Sequence, residues 1–150
     1  MNIVKIKISD TWEAPNWPQI LMEYALEASI EGMPTTAPNK ELYTKLEGLG
    51  VIHTFGAFLD KMLIGYITVM AVPGTHYETA TIFSTESFFV LKEHRKTGAG
   101  LRLLRAAETL AKGLRAPGLL VSARVDNSLP QVLGSCGYKE TNRVFFKRFE

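Results

Sequence analysis

The sequence predicts one α/β (α+β) domain over residues 1–150, a mixed and strongly twisted sheet with helices on both faces. Two patterns predict it. Runs of β-branched and aromatic residues alternate along the chain with segments whose apolar residues recur at the helical period. Near the end, Gly118-Leu-Leu-Val-Ser-Ala123 is almost continuously apolar, as a strand covered on both faces must be. The bulk properties agree. With 46% hydrophobic and 21% charged residues, 150 residues suffice to bury about two thirds of the unfolded surface without staples. Cys136 is the only cysteine, so no intrachain disulfide supports the fold.

In chain order, Ile3-Val-Lys-Ile-Lys-Ile8 alternates as a strand with one buried face. Asn16-Trp-Pro18 starts a helix, with Asn16 as cap and Pro18 in the first turn. Its inward stripe is Trp17, Ile20, Leu21, Tyr24, Ala25 and Ala28. Residues 31–39 hold a glycine and two prolines and read as a loop ending at an Asn39 cap. A shorter helix follows, with Leu42, Leu46 and Leu49 inward, ending near Gly48 to Gly50.

Val51–Leu59 and Met62–Met70 form a hairpin closed by Asp60-Lys61. Pro73-Gly74 breaks the chain, residues 75–81 are a polar loop, and Ile82–Leu91 is the next strand. A helix then buries Leu103, Leu104, Ala107, Leu110, Ala111 and Leu114, exposes Arg102, Arg105 and Lys112, and carries a Glu108–Lys112 pair in the favourable order. Pro117-Gly118 stops it.

Between that strand and helix lies Arg95-Lys-Thr-Gly-Ala-Gly100. A strand delivering its backbone into a helix opening aims unpaired N–H groups and the positive end of the helix dipole at one spot, which is an anion site. Glycines let the backbone approach a ligand closely. A P-loop would need a Lys-Ser/Thr pair after Gly100, where Leu101 and Arg102 stand, and a dinucleotide fingerprint would need a third glycine at Leu103. Both fail.

Arg95-x-x-Gly98-x-Gly100 after an apolar strand resembles the acyl-CoA signature of the GNAT superfamily of N-acyltransferases. The likeness is strongest from Glu86 to Ala123 and weakest before residue 50. Gly56–Tyr66 looks like the family's second and third strands, and Gly137-Tyr138 fits the end of its fourth helix. The resemblance implies a sheet of six to seven strands, closed by a hairpin over Val144–Phe149, and acetyl-CoA as cosubstrate bound by Arg95, Lys96, Thr97, Gly98, Ala99 and Gly100. It further implies a backbone N–H of Phe89 or Val90 as donor to the acyl oxygen, and a cofactor contact from Asn127, or from Asp126 in its stead. The family's loop between the first two helices lines the acceptor site, although the residues of that loop alone assign it no role.

Acyl transfer to an amine needs a deprotonated nucleophile, a polarised carbonyl and reactants held in attack geometry. Glu86 is the one carboxylate on the central strand, on the face of Ser84, Phe88 and Val90, and is the candidate base. Glu78 and His76 are the runners-up, and His53 and His94 read as a strand and a loop histidine without chemistry. Many members of the family place a tyrosine four residues before the final glycine to protonate the leaving thiolate. Here that position is Leu133, so water, the thiolate itself, Ser135 or Cys136 must serve.

The formal net charge of +2 does not suggest nucleic acid as the main partner, though eight basic residues from Lys92 to Arg124 suit a polyphosphate. No Cys/His cluster has metal-ligand spacing, no Gly-x-Ser-x-Gly elbow occurs, and no apolar run approaches membrane-spanning length. The expectation is a soluble cytoplasmic acetyltransferase acting on an amine, with a homodimer compatible. A catalytically silent acyl-CoA-binding or regulatory module is the alternative, and a nucleotide- or nucleic-acid-binding α/β protein is the more distant rival.

Overall fold

The alternating segments become β1 (Asn2–Ile6), β2 (Ile52–Leu59), β3 (Met62–Pro73), β4 (Thr81–Val90) and β5 (Leu119–Leu120) in the computed structural model, which describes residues Met1–Glu150. They form one mixed sheet in the order β1-β2-β3-β4-β5, antiparallel except for the parallel β4–β5 pair. Asp60 adopts a positive φ of 55° to turn β2 tightly into β3.

Helices cover both faces, each held by the apolar stripe that its sequence period predicts. On one side α2 (Trp17–Ala28) sets the fully buried Ile20 against Leu63, Tyr66, Phe89 and Leu91. On the other, α4 (Ala99–Gly113) lays Leu103, Leu104, Ala107 and Ala111 on Ile67, Val69, Phe83 and Val90. Truncating Leu103 or Leu104, both fully buried, costs about 2–5 kcal/mol each. Asn16 begins α2 without capping it through its side chain; its Nδ2 donates instead to the Leu63 carbonyl at 2.7 Å, tying the helix start to β3.

Several expectations are corrected. The sheet has five strands rather than six to seven, and no closing hairpin forms over 144–149, where Val144, Phe145 and Phe149 are 90%, 88% and 86% exposed. The physical reason lies in β5, which pairs only through Phe83 with Leu119 and Ser84 with Leu120. Past it the Ser122 N–H bonds the Thr85 side chain at 3.0 Å instead of strand backbone, so no long edge remains to register a hairpin. The first strand stops at Ile6, because Asp10 accepts the Lys7 N–H at 2.9 Å and the chain turns into α1 (Ile8–Trp12).

Helix α3 (Lys40–Gly48) is capped by Asn39, which accepts the Leu42 N–H at 3.1 Å, but Leu42 and Leu49 point outward and no residue of the helix is fully buried. Its inner face is Tyr43, Leu46 and Glu47, and Glu47 accepts the Ile8 N–H at 2.7 Å. Leu114 is likewise exposed. Glu108 binds Arg105 at 3.4 Å and the Tyr138 hydroxyl at 2.9 Å rather than Lys112.

Candidate active site

The turn between β4 and α4 presents free backbone donors at the opening of a helix. Gly98 is the N-cap of α4 with φ +84°, a left-handed conformation that favours glycine. The first intrahelical bond runs from the Arg102 N–H to the Gly98 carbonyl, and the Ala99 N–H bonds the Thr97 hydroxyl. The N–H groups of Gly98, Gly100 and Leu101 are left without partners in the chain, at the positive end of a 15-residue helix. Arg95 does not itself reach over this opening. Its Nε donates to the Val90 carbonyl at 2.9 Å, its Nη2 meets Glu27 at 2.5 Å, and its guanidinium lies 5.6 Å from the Phe89 ring centre. It clamps the turn to β4 and α2. Lys96 is exposed beside it, and the Thr97 hydroxyl donates to the His94 carbonyl at 2.6 Å.

Upstream of the turn, β4 parts from β5 and opens a cleft. The β3–β4 register runs from Thr68↔Ser87 to Val69↔Thr85, so Glu86 is an extra residue, a β-bulge. The bulge falls before Phe89 and Val90, the positions where a splayed backbone donor was expected. Because the Leu91 N–H pairs with the Ile64 carbonyl of β3, backbone alternation turns the N–H groups of Phe88 and Val90 toward the cleft and that of Phe89 toward β3. A cavity of about 230 Å³ occupies the opening, between Thr85–Phe89 on one side and Ser122–Arg124, Asn127 and Leu129 on the other. Asn127 is the residue of the Asp126/Asn127 pair that lines it; its Oδ1 accepts the Leu129 N–H at 3.0 Å and so starts α5 (Leu129–Ser135). Asp126 is exposed and paired with Arg124, whose guanidinium holds its carboxyl below the ordinary range.

A second cavity, of about 290 Å³, lies between α1, α2, α3 and the sheet. Tyr24, Glu86 and Ser87 line both cavities, so the two spaces meet at the bulge. The Glu86 carboxylate there accepts from the Tyr43 hydroxyl at 2.5 Å and from the Ser87 hydroxyl at 2.9 Å. Burial, then the Glu86 charge, pushes the Tyr24 phenol up to about 12. Tyr43 and Tyr66 are raised further, Tyr43 by burial and its hydrogen bond to Glu86, Tyr66 by burial and the nearby Tyr24 and Glu86. One carboxylate thus stands among neutral phenols. Tyr24 alone of the three lines both cavities, and its hydroxyl makes no hydrogen bond within the chain.

The remaining sequence candidates lie elsewhere. His76 and Glu78 are exposed in the β3–β4 loop and line neither cavity. His53 bonds the Gly50 carbonyl at 3.0 Å, and burial lowers its pKa. His94 closes a short 3-10 turn (Lys92–His94) beside Glu93. Leu133 is 7% exposed and packed in the α4-side core; Leu133, Ser135 and Cys136 line neither of the two cavities. No three His, Cys, Asp or Glu side chains gather as a metal site, and no helix is long and apolar enough to cross a membrane. The residues missed from sequence are Trp12, Tyr24, Tyr43, Tyr66 and Ser87. The aromatics satisfy helix or strand packing patterns equally well, and the one local signal was the loop at Thr35–Pro38, which forms a wall of the second cavity.

Comparison with known proteins bears on this arrangement. An aminoglycoside N(6')-acetyltransferase type 1 from Acinetobacter haemolyticus is 33% identical over 86 residues, 57% of this chain and 58% of that protein, so the match spans little more than half of the relative. Among solved structures, a ribosomal-protein-alanine N-acetyltransferase from Brucella melitensis biovar Abortus is 17% identical over 99% of this chain and 100% of its own, with a TM-score of 0.69. An aminoglycoside N-acetyltransferase solved in complex with CoA is 18% identical over 99% of each chain, with a TM-score of 0.63. These structures share the fold of this chain. The sequence profile of the Acetyltransferase (GNAT) family matches residues 15–134, from the start of α2 through the bulged strand and the glycine turn into α5, and the chain therefore belongs to that family.

Proposed function

We propose that this protein is an acyl-CoA-dependent N-acetyltransferase that moves the acetyl group of acetyl-CoA to a primary amine. The observation that carries the reading is the meeting of two cavities at Glu86, one in the opening between β4 and the segment after β5 and one walled by aromatic side chains. In this reading the CoA pyrophosphate binds the free N–H groups of Gly98, Gly100 and Leu101, and the pantetheine arm lies along β4 past Asn127. Arg95 holds the turn in shape, while Lys96 and Thr97 flank it and Ala99 opens the helix.

The amine nitrogen, approaching from the aromatic side, attacks the thioester carbonyl carbon, and the new C–N bond forms as the C–S bond breaks. The Val90 N–H, turned toward the cleft, donates to the developing oxyanion, with Phe89 packing behind it. Glu86 takes the proton that the amine must lose. The departing thiolate takes a proton from the Tyr24 phenol or from water, since Leu133 sits in the core; a thiol is acidic enough for the unassisted route to work as well. Family membership supports acetyl as the acyl group. The aminoglycosides named for the relatives, and the ribosomal-protein alanine named for another, define the first amines to assay.

The test is release of free CoA thiol from acetyl-CoA with a panel of amines, alongside calorimetry with CoA. Thiol release with at least one amine supports the reading. Tight CoA binding with no release from any amine would instead identify a catalytically silent acyl-CoA-binding module, and absence of CoA binding would remove the site assignment altogether.

A further inference from the structure

Resting on the N-acetyltransferase reading, the acceptor cavity goes further and specifies a class of amine. Its walls include Trp12, Trp17, Tyr24, Tyr43 and Tyr66, and Glu86 is its only charged lining residue. The rings interlock. Trp12 and Tyr43 lie 6.2 Å apart at 56°, Trp17 and Tyr66 6.3 Å apart at 54°, and Tyr24 and Tyr66 6.3 Å apart at 38°. Aromatic rings lining a cavity that holds one carboxylate suit a single cation on an apolar body.

Charge counting sets the limit. A polycationic sugar brings several ammonium groups, each of which needs a carboxylate or water when buried. This cavity offers one carboxylate, and two of its lone-pair sites are already taken by Tyr43 and Ser87. The rim is unfavourable to a second positive charge as well, because the Lys40 ammonium sits 5.4 Å from the Trp12 ring centre. At about 290 Å³ the cavity is at the small end of ligand sites.

We infer that the acceptor is a small monoamine with one ammonium group on an apolar or aromatic body, an arylalkylamine for instance, and not a polycationic aminoglycoside. The ammonium is held by Glu86 and the body lies among the tryptophan and tyrosine rings.

The chain's only two tryptophans line this cavity, so their fluorescence reports occupancy without turnover. Titrating 2-phenylethylamine, 2-phenylethanol and tobramycin into the acetyl-CoA-free protein should rank the amine at least about tenfold tighter than either of the others, the size of one charge-assisted contact. Glu86→Gln should bring the amine down to the level of the alcohol. The exposed rim change Lys40→Glu should strengthen tobramycin binding at least about threefold while leaving phenylethylamine unchanged. Tobramycin binding as tightly as the monoamine, or a Glu86→Gln variant of unaltered preference, would overturn the inference. A parallel thiol-release assay separates the two readings. Phenylethylamine that binds but releases no CoA supports the pocket assignment and refutes acetyl transfer to this class, whereas CoA release with tobramycin alone refutes the pocket assignment and leaves the acetyltransferase standing.

Discussion

Replacing Gly100 by alanine should separate ligand binding from folding, because its effects on the two have opposite signs. A Cβ built at Gly100 lies 3.7 Å from Val90 Cγ2 and 3.9 Å from Phe88 Cζ, ordinary contacts that the protein accepts. The position is the second residue of α4, where exchanging glycine for alanine stabilises a helix by about 0.4–1 kcal/mol. In a domain of this size that raises Tm by about 1–4 °C. If a phosphate is seated at the turn, the added methyl group lies next to the partnerless Gly100 N–H and crowds the oxygen that this group would hold. Loss of one charge-assisted hydrogen bond costs about 1.5–3 kcal/mol, so CoA should bind roughly 10- to 150-fold more weakly. Calorimetry with CoA gives the affinity, and thermal melting by circular dichroism gives the stability. A variant that melts higher and binds CoA unchanged would show that no anion is held at the Gly100 N–H. One that loses both would show that the space at Gly100 has been misjudged.

Glu86→Gln should lower kcat by roughly 10²-fold or more at neutral pH and leave CoA affinity unchanged, as loss of a general base does; steady-state rates and a pH–rate profile identical to the wild type would remove Glu86 from the mechanism. Leu133→Tyr should not raise turnover, because that side chain is core packing, and overfilling the site should cost about 1–3 kcal/mol in urea unfolding; a more active and equally stable variant would restore position 133 to the chemistry. The raised phenol of Tyr24, near 12 when folded against 10 when unfolded, means that the native state holds its proton more tightly. Its contribution is complete below pH 10 and is lost as pH rises toward 12, so wild type should lose stability relative to Tyr24→Phe across that window. Parallel melts at pH 9 and 11 check this, and an unchanged difference between the two proteins at both values would contradict it.

What could be read from the sequence was local. The glycine turn, the strand before it and the stripe of α4 each depend on neighbours within a few residues, so period and composition sufficed to find them. The acceptor cavity assembles aromatics from four elements that are adjacent only in the fold, and Tyr24 satisfies the packing period of α2 while also facing a cavity. In helix α3 the leucine spacing finds Leu46 but misplaces Leu42 and Leu49, whose expected interior is occupied by Tyr43 and Glu47 instead. The segment 144–149 has the apolar and aromatic composition of a strand, but a strand also needs a partner edge, and nothing in its own residues reveals that β5 is only two residues long. A bulge on this strand follows from the family resemblance, but its place at Glu86 is not readable for a related reason, since register belongs to a pair of strands and not to either one.

The bulge also divides responsibility along β4. Thr68 pairs with Ser87 and Val69 with Thr85, which leaves Glu86 as the position that the ladder does not use. Residues on either side must keep their phase, because a one-residue slip would send Phe83 or Phe89 to the wrong layer. The bulged residue carries no such obligation. A substitution at Glu86 therefore costs catalysis and not strand register, whereas an insertion or deletion elsewhere in the strand sends every residue beyond it to the opposite face.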